Sequence, residues 1–324
     1  MSSASISPEP LSPSADAPQP TGAVPAEPAS TETPKPWWEF LKTAEDSQIG
    51  ARLGKEIEDL ASKFLPNRSD YCLLGIYEPH EEITSWDSTR IFSALQSLNP
   101  DRTKNVLLLL GSGGGRIEPA YQISKICKQY ARERFVVVVP RAAKSAATLI
   151  ALGADQIHMG ILGELGPIDP QLGDLPALGV KRALETIASI CEQYPKSADA
   201  FAKYMSQRVT IEQIGYCERV AESAVQYAER LLSKKDFLKA NALSIAKKLV
   251  YEYKHHGFVI DRDEASVTLG NAWVYGDTPE SAFAEKVYER FDIINILFDF
   301  ARNKQFVVSG NLASDVISRE KSDH

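Results

Sequence analysis

Short apolar runs that alternate with longer helical patterns are the feature that most constrains how this chain folds. The runs predict strands at residues 72–77, 105–110, 135–139 and 156–159. Helical spacing predicts helices at 119–131, 145–153, 180–193, 211–233 and 237–253, and a final amphipathic helix whose apolar side includes Phe283, Val287, Phe291, Ile294 and Phe298. This alternation is typical of βαβ units around a parallel sheet. The sequence therefore predicts an α/β fold.

The composition changes along the chain and predicts four segments. Residues 1–36 hold nine of the 19 prolines and no aromatic side chain, which predicts a disordered tail because little apolar surface is available for burial. Residues 37–70 form a helical lead-in, and the aromatic residues at its start are expected to pack as a first helical turn on the core. The α/β domain is expected over 71–278. Residues 279–324 are expected to form the amphipathic helix and a tail.

Charge and cysteine spacing exclude several classes of partner. The formal net charge of −7 offers no electrostatic basis for binding nucleic acid or an anionic membrane. The four cysteines lie far apart, which indicates neither a zinc site nor a disulfide framework. No apolar stretch approaches the roughly 20 residues of a membrane-spanning helix, and the N-terminus lacks the pattern of a secretory signal. We therefore expect a cytoplasmic protein with no integral membrane segment.

Two segments in the middle of the chain carry the chemistry. Residues 107–116 run from an apolar stretch into Gly113, Gly114 and Gly115, and residues 139–155 place Ser145 at the start of a helical pattern. The glycines could form a dinucleotide turn, a phosphate loop or a bare backbone surface for a carbonyl oxygen. The first lacks its third glycine and the second lacks the Gly-Lys-Ser/Thr sequence, so the third interpretation remains. A serine beside free backbone amides is the arrangement that acyl transfer requires.

The order of motifs over residues 105–173 resembles one known family. It runs through Ser-Gly-Gly-Gly, Val-Pro-Arg-Ala-Ala-Lys-Ser-Ala-Ala-Thr-Leu-Ile-Ala-Leu and Leu-Gly-Pro-Ile-Asp-Pro-Gln-Leu-Gly. This order is similar to that of the serine dehydrogenase proteinase family, within the Clp protease/crotonase-like superfamily that includes signal peptide peptidase A. The resemblance implies a Clp/crotonase-like spiral of ββα units, with a helical C-terminal extension.

The resemblance also implies roles for individual residues. Ser145 falls at the nucleophile, Gly115 and Ala146 at the two backbone donors of an oxyanion hole, and Gly114 at the position where the backbone passes closely. From the residues alone, Ser145 could instead cap the helix and the glycines could form an ordinary turn. The chain departs from the family at three places: Gly113 replaces a proline, Lys144 directly precedes the serine, and Ala147 replaces a glycine and is expected to narrow the approach to the site.

The group that deprotonates the serine stays open among several candidates. His256 matches a histidine in a motif of the family, and Asp169 lies where the Clp proteases carry their catalytic histidine. The resemblance therefore suggests a Ser145, His256 and Asp169 set in which the acid and the base have exchanged positions along the chain. Lys181 follows the serine by 36 residues, the kind of spacing that signal peptide peptidases of this superfamily use. Lys144 is adjacent to Ser145, so its side chain should diverge from the hydroxyl. His158, on a strand, is predicted to be structural.

The resemblance implies an ATP-independent serine peptidase that cleaves peptides or proteins through an acyl-enzyme. It implies no cofactor and no metal, and it implies a homo-oligomer. Two alternatives belong to other classes. One is a crotonase-type acyl-CoA enzyme, which would use the same pair of amides but would need a carboxylate rather than a serine. The other is a catalytically inactive family member that acts as an oligomeric binding scaffold.

Overall fold

The computed structural model describes residues 35–321 apart from 81, 170, 173, 174, 208 and 209. All but the last two residues of the predicted N-terminal tail lie outside the described residues. The described helices are α1 (Trp37–Phe40), α2 (Asp46–Phe64), α3 (Ser85–Leu98), α4 (Ile117–Tyr130), α5 (Ala146–Leu152), α6 (Ala177–Gln193), α7 (Ala198–Ser206), α8 (Ile211–Leu232), α9 (Ala242–Lys247), α10 (Arg262–Leu269) and α11 (Pro279–Arg302). The described strands are β1 (Tyr71–Glu78), β2 (Asn105–Ser112), β3 (Phe135–Val139), β4 (Ala142–Ala143), β5 (Gln156–Met159), β6 (Glu164–Leu165), β7 (Gln171–Leu172), β8 (Leu175–Pro176), β9 (Val274–Tyr275), β10 (Lys304–Asn311) and β11 (Val316–Glu320).

The main sheet is mixed, with a parallel centre. Its strands follow the order β11-β10-β1-β2-β3-β5-β9, and β4 and β6 branch from the end of β2. Strands β1, β2, β3, β5 and β9 pair in parallel, whereas β10 runs antiparallel to β1 and β11 antiparallel to β10. The four predicted strands and the parallel sheet are confirmed, with boundaries that differ by two residues at most.

Alternation along the central strands divides the core between the two faces of the sheet. In β2, Val106, Leu108 and Leu110 belong to a core shared with α3, α4, α5 and α8. Leu107 and Leu109 point the other way, into a core shared with α2 and α11. Successive side chains of a strand face opposite sides, and a parallel sheet is stable only when both faces are covered. The continuous apolar runs in the sequence follow from this double coverage.

The helices at both ends of the described chain pack in the same core. The five apolar residues predicted for the final helix are all fully buried, and Ile49, Leu53 and Ile57 of α2 lie in the same cluster. Trp37 and Phe40 pack against that cluster, as expected for a first helical turn, while Trp38 remains half exposed. None of the helices in the described part of the chain is long and apolar enough to cross a bilayer.

Two local predictions are wrong. The chain after α11 is not a tail over 304–320, because β10 and β11 extend the sheet and Phe306, Val307 and Val308 are buried there. Residues 237–253 do not form one helix: a 3₁₀ turn precedes α9, and a π-helical turn, Lys248–Glu252, follows it. Within that turn the Leu249 carbonyl accepts a hydrogen bond from Ile168 N–H at 2.9 Å. This tertiary bond competes with the local helical pattern, which sequence periodicity alone cannot register.

Candidate active site

Ser145 occupies a strained turn between β4 and α5. Its backbone angles are φ 51° and ψ −117°, a left-handed region that a serine rarely adopts. Lys144 N–H donates to Ser112 O at 3.0 Å and Ala147 N–H to Lys144 O at 2.8 Å, so hydrogen bonds fix both sides of the turn. Ser145 stands at the N-cap position, yet its side chain makes no capping bond, and the residue is partly exposed. A strained strand-to-helix turn is the local geometry that presents a nucleophilic serine in α/β hydrolases.

The glycine loop lies directly against this turn. A Cβ built on Gly114 would stand 2.7 Å from Ser145 Cβ and 3.3 Å from Ala146 N. Gly114 has φ +123°, and its N–H donates to Ser112 Oγ at 3.1 Å. Only a residue without a side chain fits this close approach and this conformation. Gly114 therefore acts by allowing the backbone to pass, not by offering a free donor.

Gly115 and Ala146 each leave a backbone N–H available. Gly115, at φ +140°, pairs with Ile83 through its neighbours: Ile83 N–H donates to Gly114 O at 2.8 Å and Arg116 N–H to Ile83 O at 2.9 Å. The N–H of Gly115 itself takes no part in this bridge. Among the described residues, neither that N–H nor the N–H of Ala146 has an acceptor. Two such amides beside a serine can stabilise the negative charge that develops on a carbonyl oxygen.

A histidine and a buried carboxylate from distant parts of the chain meet near this turn. His256 Nδ1 lies 2.7 Å from Asp169 Oδ1, although 87 positions separate the two residues. Asp169 is buried, whereas the His256 side chain is 31% exposed. When Nδ1–H donates to the carboxylate, the basic lone pair of the imidazole is on Nε2, the nitrogen that can then accept a proton.

Three sets of contacts tie the Asp169 segment and the His256 loop to the serine turn. The Thr148 hydroxyl, on α5, donates towards Ala143 O and Gly166 O at 2.7 and 2.9 Å and accepts from Gly166 N–H at 3.0 Å. Leu165 and Ile260 exchange two backbone hydrogen bonds of 2.9 and 3.0 Å. Lys144 Nζ donates to Phe258 O, two residues after His256, at 3.2 Å. The segments that carry Ser145, Asp169 and His256 are therefore in direct contact with one another.

Two of the remaining base candidates, Lys144 and His158, are engaged in other contacts. Lys181 falls within α6, but its side chain lies outside the described residues, so its candidacy stays a prediction. Lys144 Nζ is held by Glu164 Oε1 at 2.9 Å as well as by Phe258 O. His158 Nδ1 lies 2.7 Å from Thr278 Oγ1, and burial lowers the pKa of its imidazole to about 4. His158 thus has a structural environment, as predicted.

Residues 64–280 match the family whose description is ClpP-like SDH-type serine proteinase. This match covers about two thirds of the chain. The chain belongs to this family. Membership in this ClpP-like proteinase family confirms the family and the fold class that the sequence predicts, and it supports a peptidase rather than a crotonase-type acyl-CoA enzyme.

Two proteins of Methanocaldococcus jannaschii are similar to this ClpP-like chain. The uncharacterized proteins MJ0137 and MJ1495 are 42% and 35% identical to it over 103 and 101 residues, which is 32% and 31% of this chain. The matches span 35% and 34% of the relatives, so this chain covers about a third of the length of each.

Solved structures of two proteases are similar over most of the chain. A mutant of the membrane-bound stomatin-specific protease 1510-N shares 13% identity, with a TM-score of 0.41, covering 78% of this chain and 93% of that one. ClpP1 from Listeria monocytogenes shares 15% identity, with a TM-score of 0.40, covering 70% of this chain and 97% of that one. The family assignment rests on the family model and not on these scores.

The structure adds residues to the site that the sequence did not predict. Ser112, which holds the Gly114 N–H, and Thr148, which holds Gly166, were not predicted to take part. A serine two residues before the amide that it accepts from is a recognised local pattern and could have been found. Ala147 was expected to narrow the approach, but its side chain is fully buried in the core. Within the described residues, no cluster of His, Cys, Asp and Glu could hold a metal ion.

Proposed function

We propose that this protein is a serine peptidase that cleaves peptide or protein substrates through an acyl-enzyme on Ser145. The observation that carries the proposal is the 2.7 Å contact between His256 Nδ1 and Asp169 Oδ1, on segments hydrogen-bonded to the turn that holds Ser145. Family membership supports the same class of reaction. Nucleophile, base and orienting acid are the three groups that such a hydrolase needs.

In the proposed acylation step, Ser145 is the nucleophile. His256 Nε2 removes the hydroxyl proton as Ser145 Oγ forms a bond to the substrate carbonyl carbon. The protonated imidazole then donates that proton to the amide nitrogen, and the C–N bond breaks. The products of this step are an ester on Ser145 and a free amine.

Water completes the proposed cycle. His256 Nε2 accepts a proton from a water molecule whose oxygen attacks the ester carbonyl, and the same proton returns to Ser145 Oγ as the acid product leaves. Asp169 accepts the Nδ1–H bond throughout and stabilises the imidazolium. The cycle consumes only water and needs neither ATP nor a cofactor.

The N–H groups of Gly115 and Ala146 are the proposed oxyanion hole. Both are fixed before substrate arrives, Gly115 by the bridge of its neighbours to Ile83 and Ala146 by the start of α5. Donors that are already in place need no reorganisation when charge develops. Loss of one such donor in other enzymes costs about 10²–10³ in kcat.

The test is peptide turnover by Ser145→Ala with Ser244→Ala as the matched control. Ser244 is an exposed serine on α9 whose hydroxyl donates to Asn241 O in the turn before that helix. Turnover of a mixture of unfolded peptides should be lost in Ser145→Ala and kept in Ser244→Ala, with equal thermal midpoints. Turnover that persists in Ser145→Ala would contradict the proposal. A wild-type protein that neither turns over peptides nor reacts with serine-directed probes would favour the inactive-scaffold alternative.

A further inference from the structure

Lys144 directly precedes the proposed nucleophile. Its side chain contacts both the segment that leads to Asp169 and the loop that carries His256. Its ammonium lies 2.9 Å from Glu164 Oε1 and donates to Phe258 O at 3.2 Å. Glu164 lies on β6, five residues before Asp169, and Phe258 follows His256 by two. The Lys144 side chain is only 14% exposed, although its bond to Phe258 O lies at the surface. Charge-assisted hydrogen bonds are stronger than those between neutral groups.

The aliphatic part of the same side chain crosses the Asp169 segment at a glycine. A Cβ built on Gly166 would lie 2.6 Å from Lys144 Cδ and 3.3 Å from Lys144 Cβ. The absence of a side chain at Gly166 is what leaves room for the lysine to reach Phe258. Gly166 itself is bound to Thr148 on α5, so the passage is built from fixed backbone.

The loop that carries His256 is exposed over most of its length, and the Lys144 bond joins two other anchors, the His256–Asp169 contact and the packing of the Phe258 ring against Tyr253. Residues 254, 255, 257, 258 and 259 are exposed, and Ile260 is the next buried position, where the bridge to Leu165 begins. Segments with few buried contacts open locally at low cost in free energy. The bond from Lys144 to Phe258 O is therefore placed to restrain the loop between His256 and Ile260.

We infer that Lys144 is a positioning residue that holds the His256 loop against the Ser145 turn through Phe258 O, with Glu164 fixing the ammonium. The inference rests on the proposed function and adds a residue that acts through His256 and does not touch the substrate. It also accounts for the lysine directly before Ser145, where the sequence departs from the family pattern. Misplacing a catalytic group by about 1 Å can cost on the order of 10² in rate.

The test measures single-turnover labelling of Ser145 by a fluorophosphonate in Lys144→Met, which keeps the aliphatic stem and removes the ammonium. Labelling over a range of probe concentrations separates the maximal rate from the half-saturating concentration. We expect the maximal rate to fall about 10- to 100-fold while the half-saturating concentration stays unchanged. Lys254→Met, on an exposed lysine of the same loop, is the matched control and should label at the wild-type rate. Lys144→Arg should recover part of the rate, because a cationic donor is kept.

A double-mutant cycle with His256→Ala separates positioning from a general effect on the fold. If Lys144 acts through His256, Lys144→Met should change the residual rate of His256→Ala by less than about twofold. Equal losses in both backgrounds, or a wild-type rate in Lys144→Met while His256→Ala is slow, would overturn this inference and leave the proposed function intact. A wild-type rate in His256→Ala would instead overturn the proposed function itself.

Discussion

His256 Nδ1 and Asp169 Oδ1 stand 2.7 Å apart, and the carboxylate is the more deeply buried partner. A buried acceptor at Nδ1 selects the tautomer that carries its proton on Nδ1 and its basic lone pair on Nε2. Replacing Asp169 with Asn keeps the shape but offers an amide that can stabilise the wrong tautomer. We expect Asp169→Asn to slow acylation of Ser145 by about 10³- to 10⁴-fold.

The measurement is single-turnover acylation, and Asp263→Asn serves as control. Asp263 lies in the first turn of α10, beyond the His256 loop, and should be replaceable with little effect on rate. If Asp169→Asn acylates as fast as wild type, the carboxylate does not orient the base.

The glycine loop offers a matched pair of substitutions. A Cβ at Gly114 would collide with Ser145 Cβ at 2.7 Å in a left-handed conformation, whereas a Cβ at Gly113 would meet nothing within 4 Å. We expect Gly114→Ala to lower the free energy of unfolding by about 1–3 kcal/mol and to slow acylation by about 100-fold, because the serine turn must shift. Gly113→Ala should stay within about 0.5 kcal/mol of wild type. Denaturant unfolding and labelling kinetics of both variants check this, and equal behaviour of the two would contradict it.

Ala147 tests whether the alanine in place of the family's glycine restricts the site. Its methyl group is fully buried in the core and α5 begins one residue before it. Ala147→Gly should cost about 1–2 kcal/mol of stability, from backbone entropy and the lost methyl group, and should leave the acylation rate unchanged. Faster acylation in Ala147→Gly would mean that the methyl group does limit access.

His158 gives the fold a predictable dependence on pH. Burial lowers the pKa of this imidazole to about 4; the Glu280 carboxylate, 3.7 Å away, opposes the shift, and the charge of Arg134 adds to it. Between pH about 6.5 and about 4 the unfolded chain binds a proton that the folded protein does not, so stability falls as the pH falls through this window. The contribution of this residue is on the order of 3 kcal/mol, fully present above pH 6.5.

Comparison of wild type with His158→Gln isolates that contribution. The difference in unfolding free energy between the two proteins should be constant above pH 7 and should shift in favour of His158→Gln as the pH falls towards 4. A difference that does not change with pH would show that the imidazole is not held neutral in the fold.

The central strands of the sheet could be predicted from the sequence, but the edge formed by β10 and β11 could not. Runs such as residues 105–110 and 135–139 are apolar throughout because β2 and β3 are covered on both faces, and this local signal survives in the sequence. Strand β10 is equally buried, but it pairs with β1 more than 200 positions earlier in the chain. No local pattern specifies a partner at that distance, so the sequence after α11 was interpreted as a tail.

The candidate site, too, could be predicted only in part from the sequence. Ser145, the glycines and the pairing of His256 with Asp169 could be predicted from motifs, because the resemblance fixed their order along the chain. The role of Lys144 depends on where Phe258 O and Gly166 lie in space. A main-chain oxygen leaves no residue-type signal, and the glycine at 166 does not show which side chain passes over it, so only the folded structure reveals these contacts.

The most direct test of the catalytic account is mass spectrometry of the protein after reaction with a fluorophosphonate. We expect one adduct, on the peptide that contains Ser145. It should be absent in Ser145→Ala and should form at least about 10³-fold more slowly in His256→Ala, since loss of any member of one catalytic unit removes most of the rate. Trypsin digestion locates the adduct, and the rate of its appearance gives the comparison. An adduct on another serine, or equal rates in wild type and His256→Ala, would contradict the assignment of Ser145 and His256 as nucleophile and base.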